Sequence, residues 1–230
     1  MTGVVAYICA IMIILLAALG PLGLGDIQYR SSESGIWQLE GQDLTDLALI
    51  APLLLIGGTM QLMRRPSAKY FLILTPVTLI YAGIVEGIGQ EWSSTAHDGN
   101  VEHYFWIFLI IIIGGLVLLI GTLSMFTKQD APDFNPKWLR IFVIAVGLAL
   151  LMFALMWTAQ VVEVLDKGDL SDGSYTAAPT AFWVVKYLDL GFTIPVGFIS
   201  LFLLMARPKQ AYHLVLLFYG FFVTTGTAST

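Results

Sequence analysis

Along the chain, long apolar runs alternate with short polar breaks. Seven runs are long enough to cross about 30 Å of hydrocarbon as helices. They are residues 3–24, 43–63, 68–89, 104–126, 138–162, 184–206 and 211–229. The last is the weakest, because it dissolves into Thr224-Thr225-Gly226-Thr227-Ala228-Ser229-Thr230. The pattern predicts an all-α, polytopic transmembrane helix bundle of about seven spans, with residues 1–230 as one integral membrane domain.

Composition sharpens this reading. The chain is 57% hydrophobic and 12% charged, with a mean hydropathy of +0.82; a soluble domain is roughly 25% charged. The first run lacks a basic n-region and is longer than a usual h-region, so it reads as a span and not as a cleaved signal. A single cysteine, Cys9, excludes a disulfide framework and any CxxC redox site. A net charge of −5 without a basic patch argues against nucleic acid. The expected surroundings are the lipid bilayer, with membrane-protein partners or a homo-oligomer as further partners.

Loop charge predicts orientation. Arg64, Arg65, Lys69, Lys128, Lys137, Arg140, Arg207 and Lys209 follow spans two, four and six, while only Arg30, Lys167 and Lys186 lie on the other side. The positive-inside rule then puts the N-terminus in the cytoplasm, the long loops outside, and the chain in the cell (cytoplasmic) membrane. Most acidic residues fall outside.

Two stretches suggest an internal repeat. DLALIAP begins at Asp46 and DLGFTIP at Asp189, each with a proline six residues after the aspartate. Asp46 and Asp189 each precede an arginine by eighteen residues, Arg64 and Arg207. RPSAKYFLIL from Arg65 then faces RPKQAYHLVLL from Arg207. Repeat halves of 1–126 and 138–230 would make a parallel four-plus-four design lacking its last helix. Pro52, Pro76 and Pro195 fall inside spans and should kink them.

Helical rise converts these spacings into depth. At about 1.5 Å per residue, Asp46 and Asp189 lie about 27 Å from their inner arginines, and Glu86 about 24 Å above Tyr70. Gln160 and Glu163 fall near the same level, and Glu102 and His103 open span four from the outside. Asp43 and Asp46, Gln160 and Glu163, and Lys186 and Asp189 are i, i+3 pairs; Glu86 and Gln90 are i, i+4. Five spans therefore present polar faces at one level, which predicts an outward-facing acidic cup.

The candidate ligand-binding residues are Asp43, Asp46, Glu86, Glu102, His103, Gln160, Glu163, Lys186 and Asp189. A plainer reading makes Asp43, Glu102, Glu163 and Lys186 helix-end residues touching water. Asp46, Glu86 and Asp189 sit deeper and read as a polar cluster, with Lys186 as a salt-bridge partner for a neighbouring carboxylate.

Known chemistries are mostly excluded. His103 and His213 lie at opposite ends of their spans and cannot ligate one haem iron, and span seven has no Schiff-base lysine. No hydrolase, zinc-protease or nucleotide-binding pattern occurs. No cofactor is predicted; a metal ion held by Glu102, His103, Glu86 and Asp189 is the one enzymatic option. LLMFALMW reads as lipid-facing or packed surface. Gly83-x-x-x-Gly87 predicts a close helix approach.

Gly41-Gln42-Asp43 followed by Pro52-Leu53-Leu54-Leu55, and Leu188-Asp189-Leu190-Gly191-Phe192 followed by Pro195, resemble the marks of a group of prokaryotic multi-pass membrane proteins. These carry a GQD…PLLL stretch and an LDLGFxxP-type stretch in a late span. The group has no established activity, so the resemblance implies architecture and nothing catalytic. The loop EWSSTAHDGN is longer and more polar than the group's pattern. Three functional classes follow: a binding protein or transporter for a cation or small polar ligand, an accessory subunit of a larger membrane complex, and a carboxylate/His enzyme. The balance leans away from an enzyme.

Overall fold

The computed structural model describes residues 1–167 and 173–228, all helix, turn or loop with no strand among them. Helix α1 spans Thr2–Leu19, α2 Glu33–Leu62, α3 Ala68–Ile88 and α4 Val101–Leu123. Helix α5 spans Pro136–Lys167, and the short α6 spans Gly173–Ala177. Helix α7 spans Pro179–Ala206, and α8 spans Pro208–Ala228. Among the described residues, six helices are long and apolar enough to cross a membrane, namely α1 to α5 and α7. The chain is thus a multi-pass helical membrane protein. The seventh expected span matches α8, a helix of 21 residues outside those six. Its last expected residue, Ser229, and positions 168–172, between the fifth and sixth expected spans, lie outside the described residues.

Helices α2 and α7 start earlier than their apolar runs. Helix α2 begins at Glu33, ten residues before the expected 43, because the Ser32 hydroxyl accepts the Gly35 amide (3.3 Å) and caps it. Helix α7 begins at Pro179, where the missing N–H falls on an amide that has no helical partner anyway. Hydropathy misses both segments because they are polar. They are helical because they are capped and pack at the polar end of the bundle.

The two aspartate–proline stretches form the same local structure. Residues Asp46–Ile50 and Asp189–Thr193 are π-helical turns inside otherwise α-helical spans. The Ala51 amide bonds the Asp46 carbonyl, and the Ile194 amide bonds the Asp189 carbonyl, both i→i+5. The cause lies one residue on, at Pro52 and Pro195. A proline ring has no N–H and crowds the carbonyl four residues back, here Ala48 and Gly191, and a widened turn relieves that crowding. Helix α3 instead breaks before Pro76, between a short helix Ala68–Leu72 and a longer one Pro76–Ile88.

Helices α1 to α4 share the main core, with Ala6, Cys9, Ile13, Leu54, Leu79, Phe108 and Ile111 in contact. Helices α3 and α4 approach closely at Gly83, where a Cβ would lie 2.7 Å from Ile112 Cγ1. A smaller cluster of Leu150, Leu201 and Phe218 joins α5, α7 and α8. Thr78 and Thr224 hydroxyls, 2.5 Å apart, tie α8 to α3. Helix α5 is peripheral. Only 6% of its most apolar window is buried, against 44% for α1.

The basic end has its own lock. Lys69 pairs with Asp130, which also accepts the Thr127 amide (2.7 Å) and hydroxyl (2.9 Å). The Lys69 hydrogen bond first, and the Thr127 amide next, hold the Asp130 carboxyl below its usual range.

Candidate functional site: an acidic cavity between the helices

At the opposite end, residues 20–32 fold across the bundle and are pinned to residues 89–102. Asn100 accepts the Gln28 amide (2.8 Å) and donates to the Asp26 carbonyl (2.9 Å). The Arg30 amide donates to Gln90 Oε1 (2.7 Å), and Gln90 Nε2 donates to the Glu86 carbonyl (2.7 Å). This fold-over carries Tyr29 into the core beside Glu86, to which its hydroxyl donates (3.4 Å). Burial first, then the Glu86 and Asp43 carboxylates, push the Tyr29 phenol well above its ordinary range and keep it an O–H donor.

Three expected acids gather beneath that loop. Asp43, Asp46 and Glu86 are all buried, with exposures of 2%, 1% and 3%. Asp43 accepts the Leu22 amide (3.3 Å). Its carboxylate fits because residue 20 is glycine: a Cβ there would stand 2.5 Å from Asp43 Oδ2. Asp46 Oδ1 accepts the Gln42 amide nitrogen (2.8 Å). Asp46 Oδ2 and Glu86 Oε1 have no hydrogen-bond partner. Among the described residues no cationic side chain pairs with any of these three acids.

Across from them, α5 and α7 hold a second polar group. Asp189 Oδ2 accepts Trp157 Nε1 (2.8 Å), and the Tyr81 hydroxyl lies beside the same carboxylate. Lys186 donates to Gln160 Oε1 (2.6 Å), and its ammonium sits 3.2 Å from the centre of a Trp157 ring. A cavity of about 350 Å³ separates the two groups. Its polar lining includes Gln42 from α2, Tyr81 and Glu86 from α3, Gln90, Trp157 from α5 and Asp189 from α7. A smaller cavity of about 160 Å³ adjoins it through Tyr81, Trp157 and Asp189.

The expected residues therefore divide. Glu86 and Asp189 line the cavity, and Asp46 reaches its wall through Gln42. Asp43 supports the loop. Gln160 and Lys186 brace the Asp189 side, and Glu163, half-buried, lies one turn beyond Gln160. Glu102 and His103 are exposed and are not among the lining residues; Glu102 pairs with Arg30 at 2.9 Å.

Tyr29, Tyr81, Trp157 and Glu91 take part without being marked by the sequence patterns. The sequence pattern places Trp157 in lipid-facing or packed surface, yet it donates to Asp189 and carries Lys186 on its ring; its i, i+3 spacing to Gln160 is the signal the sequence offers. Glu91 lies in the polar loop EWSSTAHDGN, where the sequence gives it no partner. Its carboxylate accepts the Thr180 amide (2.8 Å), the Thr180 hydroxyl (3.1 Å) and the Ala181 amide (3.4 Å). It thus closes the N-terminus of α7, where free amides and the helix dipole favour an anion.

No known protein family matches the chain, and neither a curated protein nor a solved structure does.

Proposed function

We propose that this protein binds, and as a transporter passes, a small polar or cationic ligand in the cavity between α2, α3, α5 and α7. One observation carries the reading: Glu86 and Asp189, 103 positions apart in the sequence, line the same cavity. Polar groups converging on a concave, mostly apolar space within a helical bundle are the usual form of a ligand site.

The finer architecture belongs to the same proposal. Counting α8, the bundle has seven spans, with the N-terminus cytoplasmic and the cavity near the outer face. The matched π turns at Asp46 and Asp189 support a parallel repeat of halves 1–126 and 138–230. Helical irregularities beside acidic groups recur at transporter sites.

The test is thermal unfolding of the detergent-purified chain with cyclohexylammonium and cyclohexanol as probes. Stabilisation by at least one probe, lost in Val185→Trp, which fills the cavity, while the ligand-free variant still folds, supports the reading. No stabilisation by either probe overturns it. The exposed face of α5 favours a second reading, an accessory subunit whose partner covers that helix. A stoichiometric copurifying membrane protein would support that reading.

A further inference from the structure

The sign and chemistry of the cavity narrow the class of ligand. Among the described residues the buried charged side chains are Asp43, Asp46, Lys69, Glu86, Glu91 and Lys186. Lys69 belongs to the far end with Asp130, and Glu91 is matched by the α7 amides. Lys186 lies on Trp157 and bonds Gln160. Asp43, Asp46 and Glu86 are left as a buried acidic group facing no cation. Such acids are costly as anions in a low-dielectric interior, and either a proton or a bound cation relieves that cost.

Hydrogen bonding points the same way. Asp46 and Glu86 each have one oxygen satisfied, by Gln42 and Tyr29, and one buried oxygen without a partner. In the ionised form a carboxylate accepts only, so the partner that completes it is a donor, and an ammonium group brings three. The walls separate an organic cation from a bare ion. Leu39, Val85 and Val185 line the cavity together with the rings of Tyr81 and Trp157. At about 350 Å³ the space sits at the small end of the range for ligand pockets, roughly 300–1,000 Å³, and well above one desolvated ion. Of Asp43, Asp46 and Glu86 only Glu86 lines the cavity, so a ligand held there meets one uncompensated carboxylate and needs one positive charge. Asp189 already receives the Trp157 N–H, has the Tyr81 hydroxyl beside it and lies within the field of Lys186.

We propose that the ligand is a small monovalent organic cation, an ammonium group on an apolar body. Its charge lies against Glu86, and its body lies among Leu39, Val85 and Val185. This rests on the cavity reading above, and the experiment separates the two. Isothermal titration of the detergent-purified full chain uses cyclohexylammonium, cyclohexanol and cyclohexanecarboxylate. Cyclohexylammonium should bind at least about tenfold more tightly than either of the others, the least that one charged hydrogen bond confers. Glu86→Gln, which keeps the shape and removes the charge, should weaken cyclohexylammonium by about tenfold or more. Val185→Trp, which fills the cavity and leaves Glu86 intact, should abolish binding even if Glu86→Gln fails to fold. Equal binding of cyclohexanol, or binding indifferent to Glu86→Gln, overturns the cation assignment and leaves the cavity reading standing. Cyclohexylammonium binding that survives Val185→Trp also overturns it, as does binding by none of the three, which removes the cavity reading as well.

Discussion

Replacing Glu91 tests the way residues 89–102 are joined to α7. Its carboxylate, 7% exposed, receives three hydrogen bonds, two of them from amides in the first turn of α7. Glu91→Ala leaves those amides unsatisfied in a mostly buried position. A hydrogen bond to a charged group contributes about 1.5–3 kcal/mol, and loss of a helix N-cap about 0.5–2 kcal/mol. These overlap, so the expected cost is about 2–4 kcal/mol. Glu91→Gln keeps one acceptor and loses the charge that complements the helix dipole, for about 1 kcal/mol. Cys9 supplies the assay: it is the only cysteine and is fully buried. The temperature at which a maleimide dye reacts with it reports unfolding. Glu91→Ala should lower that temperature by about 4–16 °C, using about 2–4 °C per kcal/mol for a chain of this size. Glu91→Gln should fall between it and wild type. An alanine variant that unfolds with wild type would refute the cap and with it the link between residues 89–102 and α7.

Trp157→Phe keeps a ring under Lys186 but removes the N–H that Asp189 accepts, and should cost about 1–3 kcal/mol. In a double-mutant cycle with Asp189→Asn the two losses should be clearly less than additive; strict additivity would deny the bond. At the basic end, Asp130 has a lowered carboxyl pKa, so its contribution is present above about pH 4, its unfolded value, and is lost as pH falls through the lower folded value. Asp130→Asn should therefore cost at most about 1 kcal/mol near neutral pH. Unfolding curves at decreasing pH should converge with those of wild type under strong acid.

Much of the bundle was legible because a helix in hydrocarbon must be apolar along its length. The apolar runs at 3–24, 68–89 and 104–126 match α1, α3 and α4 to within a few residues. Helices α2 and α7 outrun their apolar stretches because capping, which hydropathy does not register, extends them through polar sequence. Helical spacing also brought out Asp46, Glu86 and Asp189. Spacing along one helix cannot say which face meets a neighbour, and that is where the reading stopped. Glu102 lies near Glu86 in depth yet turns to Arg30 at the surface. Tyr29, Glu91 and Trp157 act on residues 57, 89 and 32 positions away, through a folded-back loop, a helix end and a helix–helix contact.

The central claim is that the space between Glu86 and Asp189 is a cation-selective site that solutes can enter. Val185 lines it, and a cysteine placed there in a Cys9→Ala background samples it directly. Labelling by a cationic methanethiosulfonate should be faster than by an anionic one of similar size, and cyclohexylammonium should slow it. No labelling, or equal rates for both reagents that cyclohexylammonium leaves unchanged, would contradict the account.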